Sequence, residues 1–276
     1  MHASLKGLDP AILEEWKASV GRSETRAEIL EHESLRRYAL AVGSDPNIEQ
    51  ITPPLAHWAF FLPQPEDGAI GEDGHPLRGG FLPAITLPRR MFAAADIRFE
   101  APLILGEAAE MLSSIANVTH KSGQSGDLVF VDVDRMISQG GTVRVRERQT
   151  YVYRDMGSPV PMPIPLDAPV EGELWQPGSV NLFRFSAATF NSHRIHYDLP
   201  YAREEEGYPA LVVHGPFTAA KLAAFAGRGG ALAQFSFRAQ SPLFLGQPIR
   251  LQRGGGKVRA VRCDGATAMA AKVAYQ

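Results

Sequence analysis

Residues 97–107 read IRFEAPLILGE and residues 237–247 read FRAQSPLFLGQ, with identities at Pro102/Pro242, Leu103/Leu243, Leu105/Leu245 and Gly106/Gly246. The offset of 140 is about half of the 276 residues. A PLxLG turn alone could recur by chance. Here both copies follow an Arg-containing segment and precede a strand-like stretch, which makes two homologous halves the working description. A chain of this length, 45% hydrophobic, has enough apolar surface for two cores of ordinary size.

Outward from the first copy, 97–154 reads as antiparallel strands. LVFVDVDRMIS and TVRVRERQTYVYR are rich in β-branched and aromatic residues, and Gly140-Gly141 separates them as a hairpin turn. Upstream, Asp9-Pro10 followed by Ile12, Leu13, Trp16 and Val20 predicts a capped amphipathic helix, and Glu31 to Val42 a second one ended by Gly43. Residues 51–83 are dense in Pro and Gly (GAIGEDGHPLRGGFLP), which predicts a long irregular loop of the kind that often carries function. SPVPMPIPLDAPV cannot sit in a central sheet, because its prolines lack the N–H donor. It is read as a linker over 157–170, dividing a first half, 1–156, from a second, 171–276. A proline-rich loop inside one domain is the other reading.

Composition narrows the function. Lys and Arg total 28 against 30 Asp and Glu, so no overall field favours nucleic acid or an anionic membrane. MHASLKGLDP has no basic segment followed by an apolar run, and no stretch reaches the roughly 18 apolar residues of a membrane span. The single Cys263 excludes an intramolecular disulfide and a cysteine-rich metal site. These features lead to the expectation of a soluble cytoplasmic protein.

The chemistry concentrates in the second half. FRFSAATFNSHRIHYD, residues 183–198, gathers Asn191, His193 and His196 ahead of Tyr197 and Asp198. Imidazole titrates near neutrality and can move a proton, while an amide can orient water. The same residues could equally cap a helix and close a turn. Then LVVHGPFTAAKLAAFAGRGG, residues 211–230, breaks from an apolar run at His214-Gly215 into an Ala-rich helix beginning at Pro216. The free N–H of Gly215 at that helix start can receive a carbonyl oxygen as it gains charge; a glycine that only fits the turn is the commoner case.

FNSHRIHYD followed by VVHGPFTAA resembles the (R)-specific enoyl-CoA hydratases and MaoC-like dehydratases. YALAVGSDPN, RRMFAAADIRF and KSGQSGDLVFV are similar to the double-hotdog branch that contains type 2 hydroxyacyl-thioester dehydratases and the mesaconyl-C4-CoA and itaconyl-CoA hydratases. The resemblance implies an α+β double hotdog in which two antiparallel sheets each wrap a central helix. It also implies a hydro-lyase acting on acyl-CoA, with no metal or other cofactor and a homo-oligomeric assembly. On the family motif, Asn191 stands where an Asp is usual, His196 on the catalytic His, and His214-Gly215 on the His-Gly pair. The implied roles are water positioning by Asn191, proton transfer by His196 and oxyanion binding at Gly215, with His193 and Asp198 in reserve. Asp45 in AVGSDPN would mark a degenerate first-half site. Arg89, Arg90, Lys121, Arg184 and Arg194, with His193 and His214, are candidates for holding a substrate that carries phosphates and a free carboxylate. Lys121-Ser122-Gly123 is read as a turn. Itaconyl-CoA is the first expected substrate and mesaconyl-C4-CoA the second. A 3-hydroxyacyl-thioester dehydratase and a noncatalytic acyl-CoA-binding hotdog are the alternatives.

Overall fold

The computed structural model describes residues 8–48, 53–123 and 126–276. Ten strands form one antiparallel sheet: β1 (Ser23–Ile29), β2 (Arg89–Phe99), β3 (Ala108–Gly123), β4 (Gly126–Gln139), β5 (Thr142–Arg154), β6 (Glu173–Trp175), β7 (Leu232–Ala239), β8 (Ile249–Gly254), β9 (Lys257–Val261) and β10 (Thr267–Tyr275). Their order across the sheet is β1-β3-β4-β5-β2-β7-β10-β9-β8-β6, and reading inward from either edge gives corresponding strands of the two halves. The halves join edge to edge through β2 and β7, where Asp96 faces Ser236 and Ile97 faces Phe235. Asp96 and Ser236 are 140 apart, the offset of the sequence repeat. An approximate two-fold axis therefore passes through this pair, and the PLxLG turns after β2 and β7 are its symmetric continuations. Gly106 and Gly246 turn there with left-handed φ of 78° and 84°.

Among the described residues five helices accompany the sheet: α1 (Pro10–Lys17), α2 (His32–Val42), α3 (Ser179–Ala188), α4 (Leu199–Glu204) and α5 (Gly215–Gly227). Asp9 caps α1 by accepting from the Ala11 N–H at 2.8 Å, and Gly43 ends α2, as the sequence predicts. In α5, Phe217, Ala219, Ala220, Leu222, Ala223 and Ala226 are buried. Small side chains let that helix lie close against the strands of the second half, and they favour helix intrinsically. α5 starts at Gly215, one residue before the expected Pro216.

This is the α+β double-hotdog architecture implied above, with two differences in detail. The two expected sheets are continuous. Only the second half has a long central helix at the expected place; residues 53–88 contribute 3-10 turns at Ala56–Ala59 and Asp67–Ala69 and otherwise run irregularly. Pro83 and Pro88 remove donors and Gly79 takes φ +97°, so no helix can propagate there. Ile85 and Leu87 from this stretch, with Trp16 of α1, cover Ile115, Val129, Val131 and Val133 of the first-half sheet. The expected loop over 51–83 is therefore present from residue 53; residues 51–52 lie outside the described residues. Among the described residues no helix is long and apolar enough to cross a membrane.

Candidate active site

The site is assembled from the end of α3, the turn after it, and the start of α5. Phe190 takes φ +48°, reversing the chain after α3. Asn191 Oδ1 then accepts the His193 N–H at 3.1 Å, closing a turn that leads into a single 3-10 turn, Arg194–His196. Asp198 caps α4 through the Tyr201 N–H at 3.2 Å and pairs with Arg194 at 2.7 Å. Part of the polar density of FNSHRIHYD is thus used to hold its own backbone. The remainder faces inward, because Val212 N–H donates to the Ile195 carbonyl and lays the 3-10 turn against the strand-like segment before α5.

His196 is 7% exposed, with Nδ1 at 2.7 Å from the Val212 carbonyl. A carbonyl only accepts, so Nδ1 carries the proton and Nε2 presents a lone pair. The His214 ring stacks on it at 3.5 Å between centroids and 22° between planes. His214 Nε2 lies 2.8 Å from Ser186 Oγ on α3. Burial, then the positive forms of His214 and His193, push His196 well below the usual histidine range; burial, then His193, pushes His214 down to about 3. Both rings are neutral at neutral pH. Gly215 is the first residue of α5, where a helix leaves its N–H groups without intrahelical partners, and among the described residues its N–H meets no acceptor, at the positive end of the helix. A Cβ at Gly215 would meet only the Phe92 carbonyl oxygen, at 3.6 Å. Protein packing therefore does not demand glycine here, and Gly215 lines a cavity.

A cavity of roughly 1390 Å³ joins these groups to the first half, reaching Trp58, His57 and Glu147. The stretch 70–83 forms one wall and its tip docks on the 191–196 turn. Arg194 N–H donates to the Asp73 carbonyl at 2.9 Å, Ser192 Oγ to the Gly74 carbonyl at 2.6 Å, and Arg194 Nη1 to the Glu72 carbonyl at 3.1 Å. This brings His75 onto His193, with ring centroids 4.0 Å apart, and His193 onto His196 at 5.4 Å. His75 Nδ1 is 3.2 Å from Asp73 Oδ2. Burial, opposed by the Asp73 bond, lowers His75 to about 3, and the nearby positive charges of His193 and Arg90 act in the same direction. Burial would raise Asp73, but hydrogen bonds and charge from His75 outweigh it and hold the carboxyl below its ordinary range. Deeper in, Glu147 accepts from Trp58 Nε1 at 3.0 Å and lies 3.3 Å from His57 Nε2; burial opposes its charge, while His57 and Arg135 hold it ionised.

Residues 55–245 match the family model described as hydroxyacyl-thioester dehydratase type 2. The chain belongs to this family. It is 44% identical to the mesaconyl-C4-CoA hydratase of Chloroflexus aurantiacus over 94% of this chain and 97% of that protein. It is 33% identical to the mitochondrial hydroxyacyl-thioester dehydratase type 2 of Schizosaccharomyces pombe, over 30% of this chain and 29% of that one. Among solved structures, a MaoC-like dehydratase from Phytophthora capsici superposes with a TM-score of 0.67 at 15% identity, covering 96% of this chain and 97% of that one. A Mycobacterium tuberculosis protein with a double hotdog fold superposes at 0.56 with 11% identity, over 92% and 95%. These likenesses establish the fold, and family membership makes the chain an enzyme of the hydro-lyase class.

Set on this type 2 dehydratase frame, the expected site residues separate into two groups. Asn191, His193, His196, Gly215, Arg89 and Arg90 all line the cavity. His214 does not: it is fully buried, its ring turned into the core against Phe185 and His196. Arg184 is exposed on α3, and Arg194 is committed to Asp198 and the face of Tyr201. Lys121 lies over the Phe130 ring in β3, and Lys121 to Gly123 continue that strand instead of forming a turn; residues 124–125 lie outside the described ones. Asp45 is exposed beyond α2, accepting from Asn47 N–H at 2.9 Å, and does not line the cavity. Asp198 serves as the α4 cap. Of the two cavity arginines, Arg89 pairs with Glu206 at 3.4 Å and lies over Tyr208, whereas Arg90 enters no ion pair among the described residues. The sequence pattern does not single out Asp73, His75, Ser186 or Glu206, which the fold brings to or beside this cavity. Asp73, His75 and His193 bring ligand-type atoms within 4.8 Å of one another, but Asp73 and His75 bond each other and His193 Nε2 lies 3.3 Å from Glu206.

Proposed function

We propose that the protein hydrates a short dicarboxylyl-CoA thioester to citramalyl-CoA, with mesaconyl-C4-CoA placed ahead of itaconyl-CoA as substrate. The 44% identity to a mesaconyl-C4-CoA hydratase over nearly the whole chain reverses the order expected from sequence alone. The two candidates differ only in whether the double bond lies α,β or β,γ to the thioester, and both take a hydroxyl at Cβ to give the same product.

The observation that carries this reading is the meeting of three groups in one cavity. They are the neutral His196 with Nε2 as a lone pair, the Gly215 N–H at a helix start, and Arg90, which enters no ion pair among the described residues. On mesaconyl-C4-CoA, His196 Nε2 takes a proton from water as the oxygen bonds to Cβ. The π pair moves towards the thioester, and the developing enolate oxygen is met by the Gly215 N–H. The protonated His196 then gives its proton to Cα, so the balance closes with one water added. Asn191, its Oδ1 accepting from His193, has its amide N–H to offer the water oxygen. The Arg90 guanidinium suits the free carboxylate, whose charge would otherwise be buried uncompensated.

The test is loss of enoyl-thioester absorbance with mesaconyl-C4-CoA, and product assay with itaconyl-CoA and crotonyl-CoA, for wild type and His196→Ala. The reading expects dicarboxylyl substrates to react at least about 10²-fold faster than crotonyl-CoA and the variant to lose about 10²- to 10⁴-fold in kcat. Preference for crotonyl-CoA and longer straight chains would replace it with a 3-hydroxyacyl-thioester dehydratase. Tight acyl-CoA binding without turnover would make the chain a binding protein.

A further inference from the structure

We propose that His75, oriented by Asp73 and delivered from the first half, is a second catalytic histidine that accepts a hydrogen bond from the attacking water. This role deepens the hydratase reading and rests on it. The need arises from Asn191. A water attacking Cβ must lose one proton to His196 and is best held through its other O–H by an acceptor that sharpens its lone pair towards carbon. A carboxylate at 191 would be such an acceptor through its second oxygen, whereas the amide presents an NH2 donor there and its one acceptor oxygen already takes the His193 N–H at 3.1 Å.

His75 has the geometry of an acceptor. Its backbone N–H and its Nδ1 both lie against the Asp73 carboxylate, at 2.9 and 3.2 Å, which fixes the tautomer with the proton on Nδ1 and leaves Nε2 as a lone pair. The side chain is 23% exposed and lines the cavity. It stands one ring from His193, which stands one ring from His196. Three hydrogen bonds from Ser192 and Arg194 to the carbonyls of Glu72, Asp73 and Gly74 lock this placement to the catalytic turn. In the step itself one O–H bond of water breaks to His196, the oxygen bonds to Cβ, and the remaining O–H stays on the new hydroxyl, donated to His75 Nε2. Nothing else is consumed. Burial and the neighbouring Arg90 keep His75 in the neutral form that this role needs.

The experiment compares steady-state kinetics of wild type, His75→Ala, Asp73→Asn, Asn191→Asp and the His75→Ala/Asn191→Asp double variant, each checked for an unchanged melting temperature. We expect His75→Ala to lower kcat about 10²-fold with little change in KM, and Asp73→Asn to lower it less. Added imidazole should restore part of the His75→Ala rate, and Asn191→Asp should restore part of it by returning a carboxylate acceptor. A rise in KM at unchanged kcat would make His75 a substrate-binding residue and overturn the proposal, as would wild-type kinetics in His75→Ala. If His196→Ala is inactive while His75→Ala is not, only this proposal fails; if wild type turns over no thioester, the hydratase reading fails with it.

Discussion

Gly74→Ala is the sharpest probe of how the two halves make one site. Gly74 has φ +84°, and a Cβ there would lie 2.8 Å from the Ser192 carbonyl carbon, closer still to its oxygen, where ordinary contact begins at 3.4 Å. Left-handed backbone costs an L-residue about 1–2 kcal/mol. Relief of the clash, which the carbonyl oxygen sets, requires the 72–75 segment to retreat by more than about an ångström, breaking the Ser192 Oγ bond to Gly74 and the Arg194 N–H bond to Asp73, each worth about 1 kcal/mol. The docking of this segment should therefore weaken by about 3–4 kcal/mol, enough to release it from the 191–196 turn. Gly68→Ala is the control, since its Cβ would meet nothing within 4 Å and its φ is not positive. Limited proteolysis across residues 66–80 should accelerate in Gly74→Ala and not in Gly68→Ala, with kcat falling only in the former. A Gly74→Ala protein with wild-type kcat and wild-type protease resistance would refute the docked arrangement.

Acid should destabilise the fold earlier than its carboxylates alone would. His75 and His214 are both near 3 when folded against about 6.5 unfolded, so the unfolded chain binds the extra protons and stability is lost as pH falls below about 6.5. At pH 5 this amounts to about 2 kcal/mol for each histidine, read as a lower urea midpoint than at pH 7.5; an unchanged midpoint would contradict the burial of these rings. Because Asp73 and His75 are bonded to each other, chelators should leave the rate unaltered, and a rate that collapses on chelation and returns with a divalent ion would reassign them as ligands.

The parts of the fold that the sequence revealed are those set by local or symmetric rules. A 140-residue offset in eleven-residue segments corresponds to the Asp96–Ser236 register at the sheet centre, and a His-Gly-Pro junction marks the start of α5. What stayed hidden depends on contacts between residues far apart. The same offset aligns Gly74-His75-Pro76 with His214-Gly215-Pro216, but Gly79, Gly80 and Pro83 stop the first copy from becoming a helix, and nothing local says where the freed chain will go. It goes to Ser192, 118 residues away. Likewise Arg89 and Arg90 are adjacent in sequence and alternate across β2; only the folded chain shows that Glu206 neutralises the first and leaves the second. The burial of His214 follows from which side of the α5 junction meets α3, and no periodicity in 211–230 encodes it.

The loss of the first-half helix and the completion of the second-half site are physically linked. Arg90, next to His75, disfavours the protonated ring and withdraws electron density from any hydrogen bond that His75 accepts. A substrate carboxylate resting on Arg90 cancels that field and makes His75 a better acceptor as the water attacks. A thioester without the carboxylate, such as a crotonyl group, leaves the field in place. On this account discrimination between the two is expressed in kcat as well as in KM, because the carboxylate acts on the group that handles the water and not only on binding. A site confined to the second half could hold a thioester on Gly215 and His196, but its selectivity for a second acid group would rest on affinity alone. The stretch 70–83 places His75 on the same cavity as Arg90, so under the proposed mechanism the acceptor and the guanidinium would respond to the carboxylate together.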